Sequence, residues 1–240
     1  MLKCSLIIAC VLLLSMTCHA TSLSLLTEEY PPYNFSTDQG RSVSGLSTDL
    51  IIEMMRRIGF DVHIAVVPWQ RALAMTATNA NTCVYSTIRS PERERHYKWI
   101  GPLTTDQLAL FALAANPILL HSIDDARSYR IGTYVGSVAN AYLVLNQVVP
   151  DIAPDDKLNP KKLAAGRIDL WVASTRTGPY TARQAGVQIT PRLTINTGGD
   201  NQMYLACNLD MPDSRVAALN AALVKMKIDG AYLRILNKYR

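Results

Sequence analysis

The side chains best able to do chemistry are few and scattered. Beyond the first twenty positions the histidines are His63, His96 and His121, far apart, and the cysteines are Cys83 and Cys207. No Cys-x-x-Cys pair occurs, which disfavours a dedicated zinc site and a cysteine–histidine hydrolase. The glycine-rich nucleotide loops, His-Glu-x-x-His and Gly-x-Ser-x-Gly are absent as well. What stands out is Ser90-Pro91-Glu92-Arg93. Serine as cap, proline at the first helical position and glutamate in the first turn start a helix. Arg93 falls in that turn, where the helix dipole disfavours a cation by ~0.3–1 kcal/mol. A guanidinium is a planar fork that takes a carboxylate through two hydrogen bonds. Arg93 therefore reads as a carboxylate anchor or as a solvated arginine answered by Glu92 or Glu94. Tyr30 and Trp69 each follow a strand, where α/β sheets hold ligands. A site wall and plain packing both fit them, while Arg71 reads as a surface charge.

The elements around these residues alternate. Strands are expected over 23–26, 62–67, 83–87, 108–114, 130–134, 168–173, 187–193 and 203–208. Two prolines make Pro31-Pro32 a loop, and 40–45 reads as a turn. Ser47 or Thr48 caps a helix whose apolar stripe is Leu50, Ile51, Met54, Met55 and Ile58, stopped by Gly59. Further helices are expected over 70–77 and 138–145, from Asn159-Pro160 to Gly166, from Pro212-Asp213 to Asp229-Gly230, and over 231–239. Strand–helix alternation occurs twice, which argues for an α/β chain with two lobes.

The chain has 240 residues, 49% hydrophobic and 18% charged, which excludes disorder, collagen and coiled coil. Residues 1–20 read as a cleaved signal peptide: Lys3, an apolar run from Ser5 to Met16, then small residues before a cut after Ala20. That run is shorter than the ~20 apolar residues a membrane span needs. Only Lys3 is lost on cleavage, taking the net charge from +5 to +4. The charge is spread out, so no nucleic-acid partner is expected. An exported, monomeric chain is expected, in the periplasm or secreted, where an even pair of cysteines permits a disulfide.

Four segments resemble the periplasmic solute-binding proteins of family 3, the amino-acid type used by ABC importers. They are Gly45-Leu46-Ser47-Thr48-Asp49-Leu50, Thr87-Ile88-Arg89-Ser90-Pro91-Glu92-Arg93, Leu163-Ala164-Ala165-Gly166-Arg167-Ile168-Asp169, and Lys225-Met226-Lys227-Ile228-Asp229-Gly230-Ala231-Tyr232. Each is weak alone; together they span essentially the whole chain after the leader. The resemblance implies a two-lobed type II periplasmic-binding fold: lobe 1 over 21–105 plus 200–240, lobe 2 over 106–199, joined by two crossover strands. It implies capture of a small carboxylate-bearing solute by flytrap closure, an ABC permease as partner, and no cofactor, metal or catalysis. A dehydratase-like enzyme on the same fold and a sensing module for a membrane receptor are the rival readings.

The resemblance also assigns residues. Arg93 would hold the ligand carboxylate, helped from lobe 2 by the N–H and hydroxyl of Ser137. Ser86 and Thr87 would add polar contacts, and Trp69 and Tyr30 an apolar wall. Arg89, extra relative to the family pattern, would be a second anion contact or a surface charge. The departure is Ser174, where many relatives carry an acid that grips the ligand ammonium. Glu28 or Glu29 would have to replace it, or the ligand is not an ordinary α-amino acid. Asp169 would be structural. Cys83 and Cys207, on strands this fold sets side by side, would form a cross-strand disulfide or stay as buried thiols.

Overall fold

Strands of alternating side chains need cover on both faces, and this chain supplies it twice. The computed structural model describes residues 23–196 and 201–239. The expected leader and the Gly198-Gly199 loop lie outside the described residues.

The first sheet runs β4-β1-β5-β12-β6. Its strands are β1 (Leu23–Thr27), β4 (Val62–Val66), β5 (Thr82–Ile88), β6 (Lys98–Thr105) and β12 (Gln202–Cys207). β1 pairs parallel with β4 and β5, and β12 lies antiparallel between β5 and β6. Alternation sends Leu23, Leu25, Cys83, Tyr85, Leu205 and Cys207 to one face. There they meet α1 (Leu46–Ile58), α7 (Asp213–Ile228) and α8 (Ala231–Asn237). Leu26, Val84 and Ala206 point to the other face, against Trp69 and Ala72 of α2 (Trp69–Thr78).

The second sheet runs β11-β7-β10-β8-β9. It comprises β7 (Leu108–Leu113), β8 (Ile131–Tyr134), β9 (Asp151–Ala153), β10 (Leu170–Ser174) and β11 (Ile189–Ile195). Leu108, Leu110, Leu170 and Val172 pack toward Ala139 and Leu143 of α4 (Val138–Leu145). Ala109, Phe111, Trp171 and Ala173 pack toward α5 (Asn159–Ala164) and α6 (Thr177–Gln184). The chain crosses between the sheets at Asp106-Gln107 and again after Ile195. Gln107 Nε2 donates to Ile195 O at 2.9 Å, so the two crossings are tied together.

Several local expectations shift. The 40–45 segment is the turn and second strand of a small hairpin, β2 (Phe35–Thr37) with β3 (Ser42–Ser44). The first helix is capped by Gly45, not by Ser47 or Thr48, both of which are buried in its first turn. Gly45 has φ +128°, and a Cβ there would sit 2.4 Å from Tyr33 O. The helix α6, for which no element was expected, contains Gly178-Pro179, and proline costs little in a first turn that needs no N–H bond. The helix after Ser90 is only Pro91–Glu94, labelled α3.

Cys83 and Cys207 face each other on β5 and β12, both fully buried, and their sulfurs are bonded. A native bridge closing a long loop contributes about 2–4 kcal/mol. The mass of non-reduced, alkylated protein is expected to show no added label, and Cys83→Ser with Cys207→Ser to lower Tm by about 5–15 °C.

Candidate functional site

Three features of the first sheet deliver side chains to the gap between the lobes. β1 ends at Thr27, and Glu28 and Tyr30 follow it. A Tyr30–Asn34 turn, closed by Tyr30 N–H to Asn34 O at 2.7 Å, brings Tyr33 and Asn34 back beneath them. In β5 an extra residue opposes β12 between the Val84–Ala206 and Thr87–Tyr204 pairs, a bulge. Ser86 there takes φ +58°, uncommon for a residue other than glycine, and its hydroxyl donates to Asn34 Oδ1. Pro68 turns the chain into α2, placing the Trp69 ring at the helix start.

From the other lobe come Tyr134, Gly136, Ser137 and Asp156. Trp69 Nε1 donates to Gly136 O at 2.9 Å, and Arg93 Nη2 donates to the same oxygen at 2.7 Å. Arg93 Nη1 donates to Ile88 O at 2.9 Å, and the guanidinium lies 5.6 Å from the Trp69 ring centre. No carboxylate reaches ion-pair distance of it among the described residues. Tyr134 Oη donates to Glu28 Oε1 at 2.9 Å, again between lobes. Gly136 lets them approach so closely: at φ +76°, a Cβ would fall 2.4 Å from Gln70 Oε1 and 3.2 Å from Trp69 Cδ1.

Around these contacts Glu28, Tyr30, Trp69, Ser86, Arg93, Tyr134, Ser137, Asp156 and Ser174 line one cavity of about 30 Å3. Arg93, Trp69, Tyr30, Ser86, Ser137, Glu28 and Ser174 were expected there from sequence. Thr87 is buried away from it, its hydroxyl donating to Val84 O, because the bulge at Ser86 turns it away from the gap. Arg89 also points elsewhere: it pairs with Glu94 and lies over Trp99 and Tyr204. That places it with the surface-charge reading. Glu29 accepts from Ser36 N at 3.0 Å, and Asp169 holds Arg130 at the start of the second sheet.

Ser137 departs from the expectation in detail. Its N–H is given to Tyr134 O at 3.2 Å and its Oγ accepts from Ala139 N at 3.1 Å, capping α4. Only its hydroxyl proton is left for a ligand. Ser174, also in the wall, donates to Asp106 Oδ1 at 2.7 Å while its Oγ accepts from the Arg176 and Thr177 amides. Asp106 further accepts from Tyr30 at 2.6 Å, Tyr33 at 3.0 Å and Gln107 N at 2.9 Å.

Sequence reasoning missed Asp156, Tyr134 and Asp106. Asp156 accepts from Trp171 Nε1 at 2.8 Å and from Asn159 Nδ2 at 2.9 Å. Burial pushes it up to about 6, against the pull of those two donors. Burial pushes Glu28 higher, to about 8, with Asp156 and Asp155 adding to the rise and Tyr134 and Arg93 opposing it. Burial also weakens the hold of Arg93 on its proton.

Two mixed sheets flanked by helices, with two crossings between them, make the fold of the type II periplasmic binding proteins. The chain belongs to the bacterial extracellular solute-binding proteins, family 3, whose model matches residues 24–240. It is similar to the L-cystine-binding protein TcyJ of Escherichia coli, 23% identical over 152 residues, covering 62% of this chain and 57% of that protein. This match therefore spans little more than half of the curated relative. An ancestral arginine-binding protein bound to arginine superposes with TM-score 0.78 at 20% identity, over 91% of this chain and 97% of that one. A histidine kinase sensor domain with similarity to periplasmic binding proteins superposes with TM-score 0.83 at 19% identity, over 91% and 96%.

Two outcomes follow from this geometry. Gly136→Ala is expected to weaken solute binding at least tenfold, because its methyl group separates the lobes at Trp69. Isothermal titration with the best-bound solute measures that loss. The second concerns pH. The unfolded chain releases the Glu28 proton near 4.5, whereas the folded chain keeps it to about 8. The folded state binds the extra proton over that interval, so stability falls as pH rises through it. Ligand-free Tm is expected to decline from pH 5 to 8. Glu28→Gln should remove most of the decline above pH 7, where Asp156, at about 6, is mostly ionised.

Proposed function

We propose that this chain captures a small carboxylate-bearing solute of the amino-acid type between its lobes and delivers it to an ABC permease from the periplasm. The observation that carries this reading is Arg93. Its guanidinium faces the cavity, half-buried, bonded to main-chain carbonyls only. A carboxylate arriving there replaces neutral acceptors by a charged one, and charge-assisted bonds are roughly twice as strong as neutral ones. The solute thus binds in competition with Gly136 O, an acceptor the protein itself supplies.

The ammonium of such a solute has no partner at Ser174, whose hydroxyl is committed to Asp106. Glu28 and Asp156 take that role, one from each lobe. Both are carboxyls that burial holds protonated beyond the usual range, and a cation beside them favours the charged form. Contacts from both lobes bind the closed form better than the open one, and that differential affinity drives flytrap closure. No helix among the described residues is long and apolar enough to cross a membrane. The similarity to proteins whose names speak of cystine and arginine supports an amino-acid solute without choosing one.

The test is a thermal-shift screen of purified protein lacking residues 1–20 against amino acids, polyamines and organic acids. At 100 times Kd a true ligand adds about 2.7 kcal/mol to stability. Arg93→Ala is expected to abolish the shift for carboxylate-bearing hits while far-ultraviolet circular dichroism stays unchanged. Equal shifts in the wild type and Arg93→Ala would remove Arg93 from the site.

A further inference from the structure

The gap between the lobes holds about 30 Å3, close to one water's share of liquid volume. Ligand pockets usually offer about 300–1,000 Å3. A second cavity, of about 400 Å3, lies beside the first. Glu28, Trp69, Tyr134 and Asp156 line both, so the two chambers share a wall. The second one continues between Val66-Val67-Pro68, at the end of β4, and Pro154–Lys157, after β9. It is therefore built from both lobes, like the first.

Its chemistry is one-sided. Glu28, Glu29, Asp155 and Asp156 face it, against the single ammonium of Lys157. Val66, Val67 and the Trp69 ring supply apolar surface. Arg93 and Ser137, by contrast, belong to the first chamber alone. Anion-binding groups thus line the first chamber and acidic groups crowd the second, with Glu28 and Asp156 in the wall the two share.

We propose that the solute is elongated: its carboxylate head sits on Arg93, and its tail, carrying a cationic group, passes Glu28 and Asp156 into this second chamber. Closure then grips the head while the tail runs along the apolar strip under Trp69. On this proposal the tail reaches past the shared wall toward Pro68, Pro154 and Lys157, which line the second chamber and are exposed. This inference rests on the solute-capture reading.

Titration calorimetry with three probes of increasing length tests it: L-alanine, L-lysine and Nε-glycyl-L-lysine. All three carry the same head. The elongated probe is expected to bind at least tenfold more tightly than alanine. Pro154→Trp, which fills the second chamber, is expected to weaken that probe at least tenfold and alanine less than twofold. Lys157→Cys supplies a readout should Pro154→Trp fold poorly, because the native cysteines are bonded to each other. Nε-glycyl-L-lysine should slow maleimide labelling of that thiol at least fivefold, and alanine should not. Alanine or lysine binding with rejection of the longer probe overturns the second chamber and leaves solute capture standing. Unchanged labelling by a bound long probe overturns it too. Failure of every amino acid and peptide-like probe to bind overturns solute capture, and this inference with it.

Discussion

The carboxylate of Asp106 is the point through which the lobes agree on their relative position. It lies at the first crossing, is 5% exposed, and gathers donors from Tyr30 and Tyr33 of one lobe and Ser174 of the other. A buried carboxylate left short of partners is costly, so each of those donors is held where the acid needs it. Tyr30 and Ser174 then become fixed walls of the cavity. Ser174 also anchors the first amides of α6, so the same oxygen sets where that helix begins. An acid at 174 would face Asp106 across a bond of 2.7 Å, which explains in physical terms why that position carries a hydroxyl here.

With the Ser174 hydroxyl committed to Asp106, the charge-bearing groups of the cleft lie elsewhere. Arg93 provides the positive end, and Glu28 and Asp156 the negative one. Asp156 sits close enough to raise the proton affinity of Glu28, yet each has a neutral donor in place, Tyr134 for Glu28 and Trp171 for Asp156. The arrangement satisfies the groups without neutralising them by an ion pair. Arg93 keeps its charge without an ion pair among the described residues, while burial keeps Glu28 protonated up to about 8.

How much of this was legible in the residues depended on range. Arg93, Trp69, Tyr30 and Ser137 sit beside helix starts and strand ends, signals carried within a few residues, and all reach the cavity. Arg89 and Thr87 share that neighbourhood and do not, because a bulge and strand alternation decide which neighbours turn inward. Asp156 lies in Asp155-Asp156-Lys157, which reads as a solvated charge cluster. Only the packing of Trp171 against it, fifteen residues away in sequence, makes it a cleft residue. Asp106 precedes an apolar strand and gives no local sign of its four bonds. The hairpin β2–β3 and strand β9 are three residues each, too short for periodicity to register. The helix α6 is masked by Gly178-Pro179, whose place in the first turn is visible only once the start of the helix is known.

The Cys83–Cys207 bridge joins β5, which precedes the second sheet in the chain, with β12, which follows it, 124 positions later. The whole second sheet lies inside the covalent ring so formed. Topologically the second lobe is a loop hung from one clasp. A protease cutting anywhere within that lobe opens the ring without releasing either piece, so a nicked molecule remains a single covalent body for as long as its surroundings stay oxidising.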